Sequence, residues 1–284
     1  MFSYTHIPIL YEDHDLPSSA IIFLMDHGIW KKQDKEILCL ACFHHCLLSK
    51  DHTGICGVRA CHNGTLDLLV YGKTNNVAID PMEKKPLYHF LPGSSVVSLG
   101  TIGCNFSCAF CQNYFISQAP KHKSFTEITH AISMCDNWSP QRVSDLCAAT
   151  KSPAIAFTYN EQTIFSEYAV DCMKKVKKYG IRGIFVTNGY MSSQCLDFID
   201  PYIDAFNVDL KSFNEEYYRK ICGAHLQPVL DTIKLLVNRG KWIEVTTLLI
   251  EGKNDSDSEL KNLTHFLASL SVDIPWHISA AHPE

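Results

Sequence analysis

The sequence GCNFSCAFCQN, residues Gly103–Asn113, carries Cys104, Cys108 and Cys111 in the spacing C-x3-C-x2-C. This spacing arises by chance in roughly one sequence in thirty of similar cysteine content. The glycine before the triplet and the polar residues after it suit a compact loop. Three thiolates are one ligand short of a closed site, so the loop predicts an iron–sulfur cluster with one open iron. Zinc with an open water position and three unmetallated buried thiols are the alternatives.

The composition limits the kind of protein that can carry this loop. The chain has 284 residues, 46% of them hydrophobic, which is enough for one sizeable core. A net charge of -5 argues against a nucleic-acid partner. The apolar run near the N-terminus, Ala20–Met25, is too short for a signal sequence or a membrane span. With 13 cysteines and no export signal, we expect a cytoplasmic protein whose thiols stay reduced.

Strands and helices are predicted to alternate around and after the cysteine loop, which is typical of an α/β protein with a parallel sheet. The predicted strands are Ser95–Gly100, Ala154–Tyr159, Arg182–Asn188, Asp204–Lys211, Trp242–Ile250 and Ile274–Ser279. The predicted helices are Thr126–Trp138, Glu167–Gly180, Ser193–Phe198, Gln227–Gly240 and Ser256–Leu270. Six βα units or parts of units predict either a parallel barrel or a doubly wound sheet.

Polar side chains recur on one face of the later strands. Alternate strand residues share a face, and the polar ones are Asn207, Asp209, Lys211, Glu244, Thr246, His277 and Ser279. Parallel strands without a ligand are usually apolar on both faces, so this pattern predicts a ligand-filled lumen, with a salt-bridged lumen as the alternative. Ligands of parallel barrels bind at the carboxyl ends of the strands. There the sequence places TYNE (158–161), TNGY (187–190) and DLK (209–211) beside the cysteine triplet.

A second group of cysteines lies near the N-terminus. Cys39, Cys42, Cys46 and Cys56 have the spacing C-x2-C-x3-C-x9-C. Four thiolates can close a tetrahedral site, so structural zinc is the simplest occupant and a second iron–sulfur cluster is the next. Four thiols without metal are the remaining alternative. The other six cysteines, among them Cys222, are interpreted as core residues.

These motifs resemble a known family. The C-x3-C-x2-C triplet resembles that of the radical SAM enzymes. Together with CGVR (56–59), AIDPMEKKPLYHFLPGSSVVSLG (78–100) and AFTYNEQTIFSEY (156–168), it closely resembles radical SAM proteins of the AmmeMemoRadiSam system, which are similar to pyruvate formate-lyase activating enzymes. The resemblance implies a partial (β/α)6 barrel in residues 91–284 and a small cysteine-rich N-terminal region in residues 1–90. It also implies further residues beyond AHPE (281–284) that would complete the sheet edge and the substrate pocket.

The resemblance also implies the chemistry and the roles of residues. The fourth iron of a 4Fe-4S cluster would bind S-adenosylmethionine (SAM), and one electron from a flavodoxin or ferredoxin would cleave it to a 5'-deoxyadenosyl radical. That radical would abstract hydrogen from an unknown substrate, which includes the option of a protein. Cofactor contacts are expected from Tyr159, Asn160, Glu161, Asn188, Asp209 and Lys211, and the polar lumen adds His277. Gln162 departs from the proline that the family pattern carries after TYNE.

Two other classes of protein remain open from the sequence. A non-catalytic electron carrier or scaffold would fill the open iron with a ligand other than cysteine. A zinc-dependent hydrolase would hold zinc in the triplet. The polar strand ends favour the enzyme, because an electron carrier needs no cavity for an adenosine group.

Overall fold

A computed structural model describes residues 28–281. The apolar run Ala20–Met25, on which the expectation of no signal sequence or span depends, lies outside these residues. Within them, no helix combines the length and the apolar character needed to cross a membrane.

The described chain begins with short strands and continues as alternating strands and helices. Its strands are β1 Trp30–Gln33, β2 Glu36–Cys39, β3 Leu47–Leu48, β4 Arg59–His62, β5 Thr65–Leu68, β6 Asn76–Pro81, β7 Ser95–Gly100, β8 Ala154–Phe157, β9 Arg182–Thr187, β10 Ala205–Asp209, β11 Trp242–Leu249 and β12 Trp276–Ala280. Its α-helices are α1 Tyr114–Ser117, α2 Phe125–Ser133, α3 Pro140–Thr150, α4 Ser166–Val176, α5 Ser193–Ile199, α6 Glu215–Tyr217, α7 Leu226–Asn238 and α8 Asp257–Leu270.

One seven-stranded sheet, in the order β12-β11-β10-β9-β8-β7-β6, forms the centre of the molecule. Strands β7 to β12 are parallel and coincide with the six predicted strands, while β6 pairs antiparallel with β7. The predicted α/β class with a parallel sheet is therefore confirmed. The antiparallel strand β6 lies before residue 90, so the central sheet begins upstream of the predicted start of the core.

The two faces of this sheet are packed differently. On the outer face, the rings of Phe157, Phe185 and Phe206 meet edge to face at 5.7 and 6.0 Å, under the apolar sides of the helices. On the inner face the buried side chains are small, and residues from the segment 82–91 cover them near the start of the strands. Small inner residues leave room for a lumen, whereas the large aromatic rings fill the layer between sheet and helices.

The predicted helix Thr126–Trp138 ends earlier than expected. The helix α2 begins at a capping box between Ser124 and Glu127 and ends at Ser133. The backbone N–H of Asp136 then donates to Asn75 Oδ1 at 2.8 Å, and Ser139 caps a new helix, α3. A contact with a distant loop and a strong N-cap next to Pro140 thus divide the region into two helices.

The N-terminal strands form a small unit that packs against the central domain. Its main anchor is Arg59, which is fully buried and forms a bidentate ion pair with Glu167 of α4 at 2.7 Å for both bonds. A β-bridge from Cys42 to Met191 adds a second contact. A planar guanidinium matches a carboxylate in this geometry, which compensates the cost of burying both charges.

Candidate functional site

The cysteine loop follows β7 and is held by Asn160. The side-chain oxygen of Asn160 accepts from Thr101 N–H at 2.9 Å, and its nitrogen donates to Gly103 O at 2.8 Å. Gly103 has a φ of +93°, and a Cβ there would lie only 2.7 Å from Cys56 O. Only glycine accepts both this backbone conformation and this close approach. The loop is therefore shaped by residues outside the cysteine motif.

The three predicted cysteines line one cavity of about 280 Å³ at the carboxyl ends of the parallel strands. Six of the seven predicted cofactor residues line the same cavity: Tyr159, Asn160, Glu161, Asn188, Asp209 and Lys211. The sulfur atoms also have polar neighbours. Phe106 N–H donates to Cys104 Sγ at 3.3 Å, and Ser117 Oγ lies 3.2 Å from Cys111 Sγ.

The thiols differ in their electrostatic surroundings. Burial and the nearby Glu161 carboxylate raise the pKa of Cys104. The neighbouring Cys222 thiol, with help from Lys211 and against burial, lowers the pKa of Cys108. Cys222 is buried in the core as predicted, and its thiol also lies next to Cys108. The fold brings Cys222 next to Cys108 through backbone hydrogen bonds. Ser107 N–H donates to Cys222 O at 2.8 Å, and Ala109 N–H donates to Ile221 O at 3.0 Å.

Glu161 is a buried carboxylate on the wall of the cavity. Its Oε1 accepts from Thr163 N–H at 3.0 Å, Thr163 Oγ at 2.5 Å and Thr187 Oγ at 2.7 Å. Its Oε2 accepts from Asn188 N–H at 2.8 Å. Burial raises the pKa of Glu161, and these hydrogen bonds oppose the rise. Since a carboxylate oxygen has two lone pairs, Oε2 retains capacity for a further donor.

Asn188 connects the end of β9 to the cysteine loop. Its side-chain nitrogen donates to Asn105 Oδ1 at 2.7 Å and lies 3.9 Å from Cys104 Sγ. The side-chain nitrogen of Asn105 is buried and has no hydrogen-bond partner among the described residues. A buried amide donor without an acceptor is costly, and it suits a site whose occupant brings acceptor atoms.

Asp209 and Lys211 form an ion pair on another wall of the cavity. Lys211 Nζ lies 2.9 Å from Asp209 Oδ2 and 5.8 Å from the ring centre of Phe110. Although burial opposes it, the charges of Asp209 and Cys108 raise the pKa of Lys211 well above its usual value. A permanent positive charge therefore lies close to the thiol of Cys108.

Tyr159 has an unusual backbone conformation and binds Asp80 through its hydroxyl. Its φ is +72°, in the left-handed region that favours glycine. Its hydroxyl donates to Asp80 Oδ2 at 2.6 Å, and Lys85 Nζ lies 4.7 Å from its ring centre. These contacts to a buried Asp80–Lys85 pair compensate the backbone strain.

His277 is the predicted cofactor residue that the structure does not bring to this cavity. Its Nε2 lies 2.6 Å from Glu244 Oε2, near the start of β11 and at the opposite end of the inner face. Glu244 is fully buried and also accepts from the backbone N–H groups of Tyr88 and His89, both at 2.9 Å. Strand parity placed His277 on the correct face, but parity does not specify the height along a strand.

The sequence places this chain in a known family. Residues 99–267 match the model of the radical SAM superfamily. An uncharacterized protein of Methanocaldococcus jannaschii is 37% identical over 256 residues, which is 89% of this chain and 73% of that protein. The chain therefore belongs to the radical SAM superfamily.

Two further relatives carry descriptions of activity. A second protein of Methanocaldococcus jannaschii, provisionally named as a glycyl-radical enzyme activating enzyme, is 27% identical over 66% of this chain and 67% of its own length. The pyruvate formate-lyase 1-activating enzyme of Escherichia coli is 24% identical over 43% of this chain and 52% of its own length. The expected resemblance to radical SAM proteins and to homologues named as activating enzymes is confirmed.

Proposed function

We propose that this protein is a SAM-cleaving enzyme of the glycyl-radical activating type, from the AmmeMemoRadiSam group. The observation that carries the proposal is the shared cavity. Three cysteines line it together with a buried carboxylate and a cation, and in the described chain no fourth cysteine lines it. Three thiolates with one open position are the donor set that a substrate-binding cluster requires.

A 4Fe-4S cluster fits the residues around these cysteines. Cys104, Cys108 and Cys111 would hold it, and when bound it would supply one electron and an open iron for SAM. Phe106 N–H, at 3.3 Å from Cys104 Sγ, and the unpartnered amide nitrogen of Asn105 supply hydrogen-bond donors next to the sulfur ligands. Such donors stabilise added negative charge, which tunes the reduction potential of a cluster.

The other walls of the cavity have the chemistry that SAM needs. The free acceptor capacity of Glu161 Oε2 suits the methionyl ammonium group, because a charge-assisted bond offsets the cost of the buried carboxylate. The polar side chains of Asn188, Asp209 and Thr246 are available for the ribose and the carboxylate of SAM. Phe106 and Phe110 form apolar walls that exclude water from the reacting bonds.

The rim of the cavity supports a protein as the hydrogen donor. Directly after the cysteine loop, Tyr114 and Phe115 of α1 are 56% and 90% exposed. Large exposed aromatic side chains next to an open site are typical of surfaces that bind other proteins. We propose a cytoplasmic glycyl-radical protein or another polypeptide as the substrate, and a flavodoxin- or ferredoxin-type protein as the electron donor.

The direct test is SAM cleavage by the full chain after anaerobic reconstitution with iron and sulfide. We expect dithionite and SAM to yield 5'-deoxyadenosine and methionine, scored by mass spectrometry, and we expect Cys108→Ala to abolish the products. Cys147→Ala, at a buried thiol on α3, is the matched control that should retain cleavage. Normal cleavage by Cys108→Ala would refute the proposal.

An electron carrier without turnover is the second candidate, supported by the second group of four cysteines. Calorimetry separates the two functions, because a carrier should bind no SAM while the proposed enzyme should bind it in the reconstituted form.

A further inference from the structure

The four N-terminal cysteines, Cys39, Cys42, Cys46 and Cys56, form a second cluster of thiols that we call the quartet. Cys39 ends β2, the next two lie in the turn before β3, and Cys56 lies in the loop before β4. All four are free, and all but Cys46 are buried. Cys39 N–H donates to Cys46 O at 2.9 Å, and the other three quartet thiols are close enough to Cys42 to interact with it electrostatically. The tertiary fold thus brings all four thiols to one place.

The spacing of these thiols discriminates between zinc and an iron–sulfur cluster. A zinc ion bound by sulfur at about 2.3 Å holds its four ligands about 3.8 Å apart. Within residues 28–281, the one set of three metal-ligating atoms that all lie within 4.8 Å of one another is that of His89, Glu244 and His277. No three quartet sulfurs are therefore as close as zinc requires.

The sulfurs of Cys104, Cys108 and Cys111 are likewise not all within 4.8 Å of one another. A cluster with iron and sulfide atoms at its core holds its thiolate ligands farther apart than a single zinc ion does. The quartet therefore resembles the triplet of the active site more than a tetrahedral zinc site.

The surroundings of the quartet favour a negatively charged centre. The buried Arg59 donates from Nε to Cys39 Sγ at 3.2 Å while its other nitrogens bind Glu167. Donors directed at sulfur stabilise thiolate ligands and the extra electron of a reduced cluster.

The quartet also lies directly against the cysteine loop of the proposed active site. His44, between two quartet cysteines, places Nε2 2.8 Å from Asn105 O. The carbonyl of Cys56 faces Gly103, the residue before Cys104. On the other side, Leu47 and Ile55, which directly neighbour Cys46 and Cys56, are each 48% exposed. The quartet thus lies between the protein surface and the active site.

We propose that the quartet binds a second iron–sulfur cluster, which takes one electron from a flavodoxin- or ferredoxin-type reductant and passes it to the triplet site. No bond forms or breaks at the quartet, because one electron enters and the same electron leaves. The role as a relay rests on the proposed function, whereas the identity of the metal does not.

The first experiment isolates the quartet in the full chain. A variant with Cys104→Ala, Cys108→Ala and Cys111→Ala is reconstituted anaerobically and analysed for iron, sulfide and zinc. We expect about four irons per chain, visible absorbance that dithionite bleaches, and an electron paramagnetic resonance signal that SAM does not change. Adding Cys42→Ser and Cys46→Ser should remove the iron, while adding Cys61→Ser, at a buried thiol outside the quartet, should not. About one zinc per chain without iron would overturn the proposal.

A second experiment keeps the triplet and replaces Cys42 and Cys46 by serine, so that the relay is tested separately. This variant should still cleave SAM with dithionite, a small reductant that reaches the triplet directly. Cleavage driven by reduced flavodoxin should fall by an order of magnitude, and equal rates with wild type would overturn the relay. If this variant does not fold, iron analysis and electron paramagnetic resonance of the wild type provide the test. The wild type should contain about eight irons per chain and show one resonance signal that SAM does not change. Failure of wild-type SAM cleavage with iron retained in the quartet would refute the proposed function alone.

Discussion

Two buried glutamates at opposite ends of the same sheet have opposite electrostatic surroundings. Glu161, at the carboxyl ends of the strands, has no cationic partner among its hydrogen bonds, and burial raises its pKa. Glu244, near the strand starts, binds His277 and accepts from Trp242 Nε1 and two backbone N–H groups, and despite burial these donors lower its pKa. The carboxylate with unused acceptor capacity, Glu161, is the one that lines the cavity. This arrangement is typical of a site that binds a cationic ligand.

The segment around Tyr88 and His89 explains why the second end is closed. It connects β6 to β7 and contacts Glu244 through its backbone, while Met82 and Leu87 cover the small side chains of the inner face. At the carboxyl ends of the strands the described chain instead forms the cavity that the cysteine triplet lines. One end of the lumen is thus closed by structural contacts, and the other end holds the candidate site.

The largest expected effect concerns the closed end. Glu244→Gln should lower the free energy of unfolding by about 3 kcal/mol, because it leaves several buried donors without a charged acceptor. Urea unfolding of the full chain measures this change. Glu251→Gln, at an exposed site just after β11, is the matched control and should have little effect. A loss below about 1 kcal/mol for Glu244→Gln would show that this carboxylate is not what closes the lumen.

The next effect compares two buried asparagines. Asn160→Ala removes the hydrogen bonds that hold the cysteine loop, and we expect a loss of about 2 kcal/mol in stability together with faster release of iron. Asn207→Ala, at a buried site on β10 that does not line the cavity, removes bonds to Pro86 O and Thr246 Oγ, both at 2.9 Å, and should cost similar stability. Iron retention after reconstitution is the discriminating measurement. Equal iron release by both variants would argue against a specific role of Asn160 in the loop.

A smaller effect is expected on ligand affinity. Glu161→Gln should weaken SAM binding about tenfold, which corresponds to about 1.4 kcal/mol, because the ammonium group loses a charged acceptor. Anaerobic calorimetry on reconstituted protein measures the dissociation constant. The matched variant is Glu244→Gln under conditions where it is folded, and its affinity should equal that of the wild type. If Glu161→Gln binds SAM with unchanged affinity, Glu161 does not bind the ammonium group.

The smallest effects concern pH and have opposite signs at the two ends. Glu244 has a lowered pKa in the folded state, so its stabilisation is present above its unfolded value near 4.5 and is lost as pH falls through the folded value. Glu161 has a raised pKa, so its charged form, and with it SAM affinity, should decline at a higher pH than stability does. Calorimetry and unfolding measured across the same acidic range test this order. Simultaneous loss of both would contradict the comparison.

Much of the site could be predicted from the sequence because its residues lie in short local motifs. The cysteine triplet, TYNE, TNGY and DLK each lie at the end of a strand, and parallel strands bring their carboxyl ends to one edge. Nine of the predicted site residues therefore line one cavity. The contact of Cys222 with Cys108 could not be predicted, since 113 intervening residues separate the two thiols and only the fold joins them. The sequence placed His277 near the cofactor for a related reason: alternation with a period of two specifies the face of a strand but not the position along it.

By itself, the sequence determined the family, the alternation of strands and helices, and the residues that meet at the strand ends, because these depend on local periodicity and on spacing along the chain. Only the tertiary structure decided which end of the lumen is open, how Asn160 and Gly103 shape the cysteine loop, and that the quartet lies against it. These features depend on contacts between residues far apart in sequence, and no local pattern encodes such contacts.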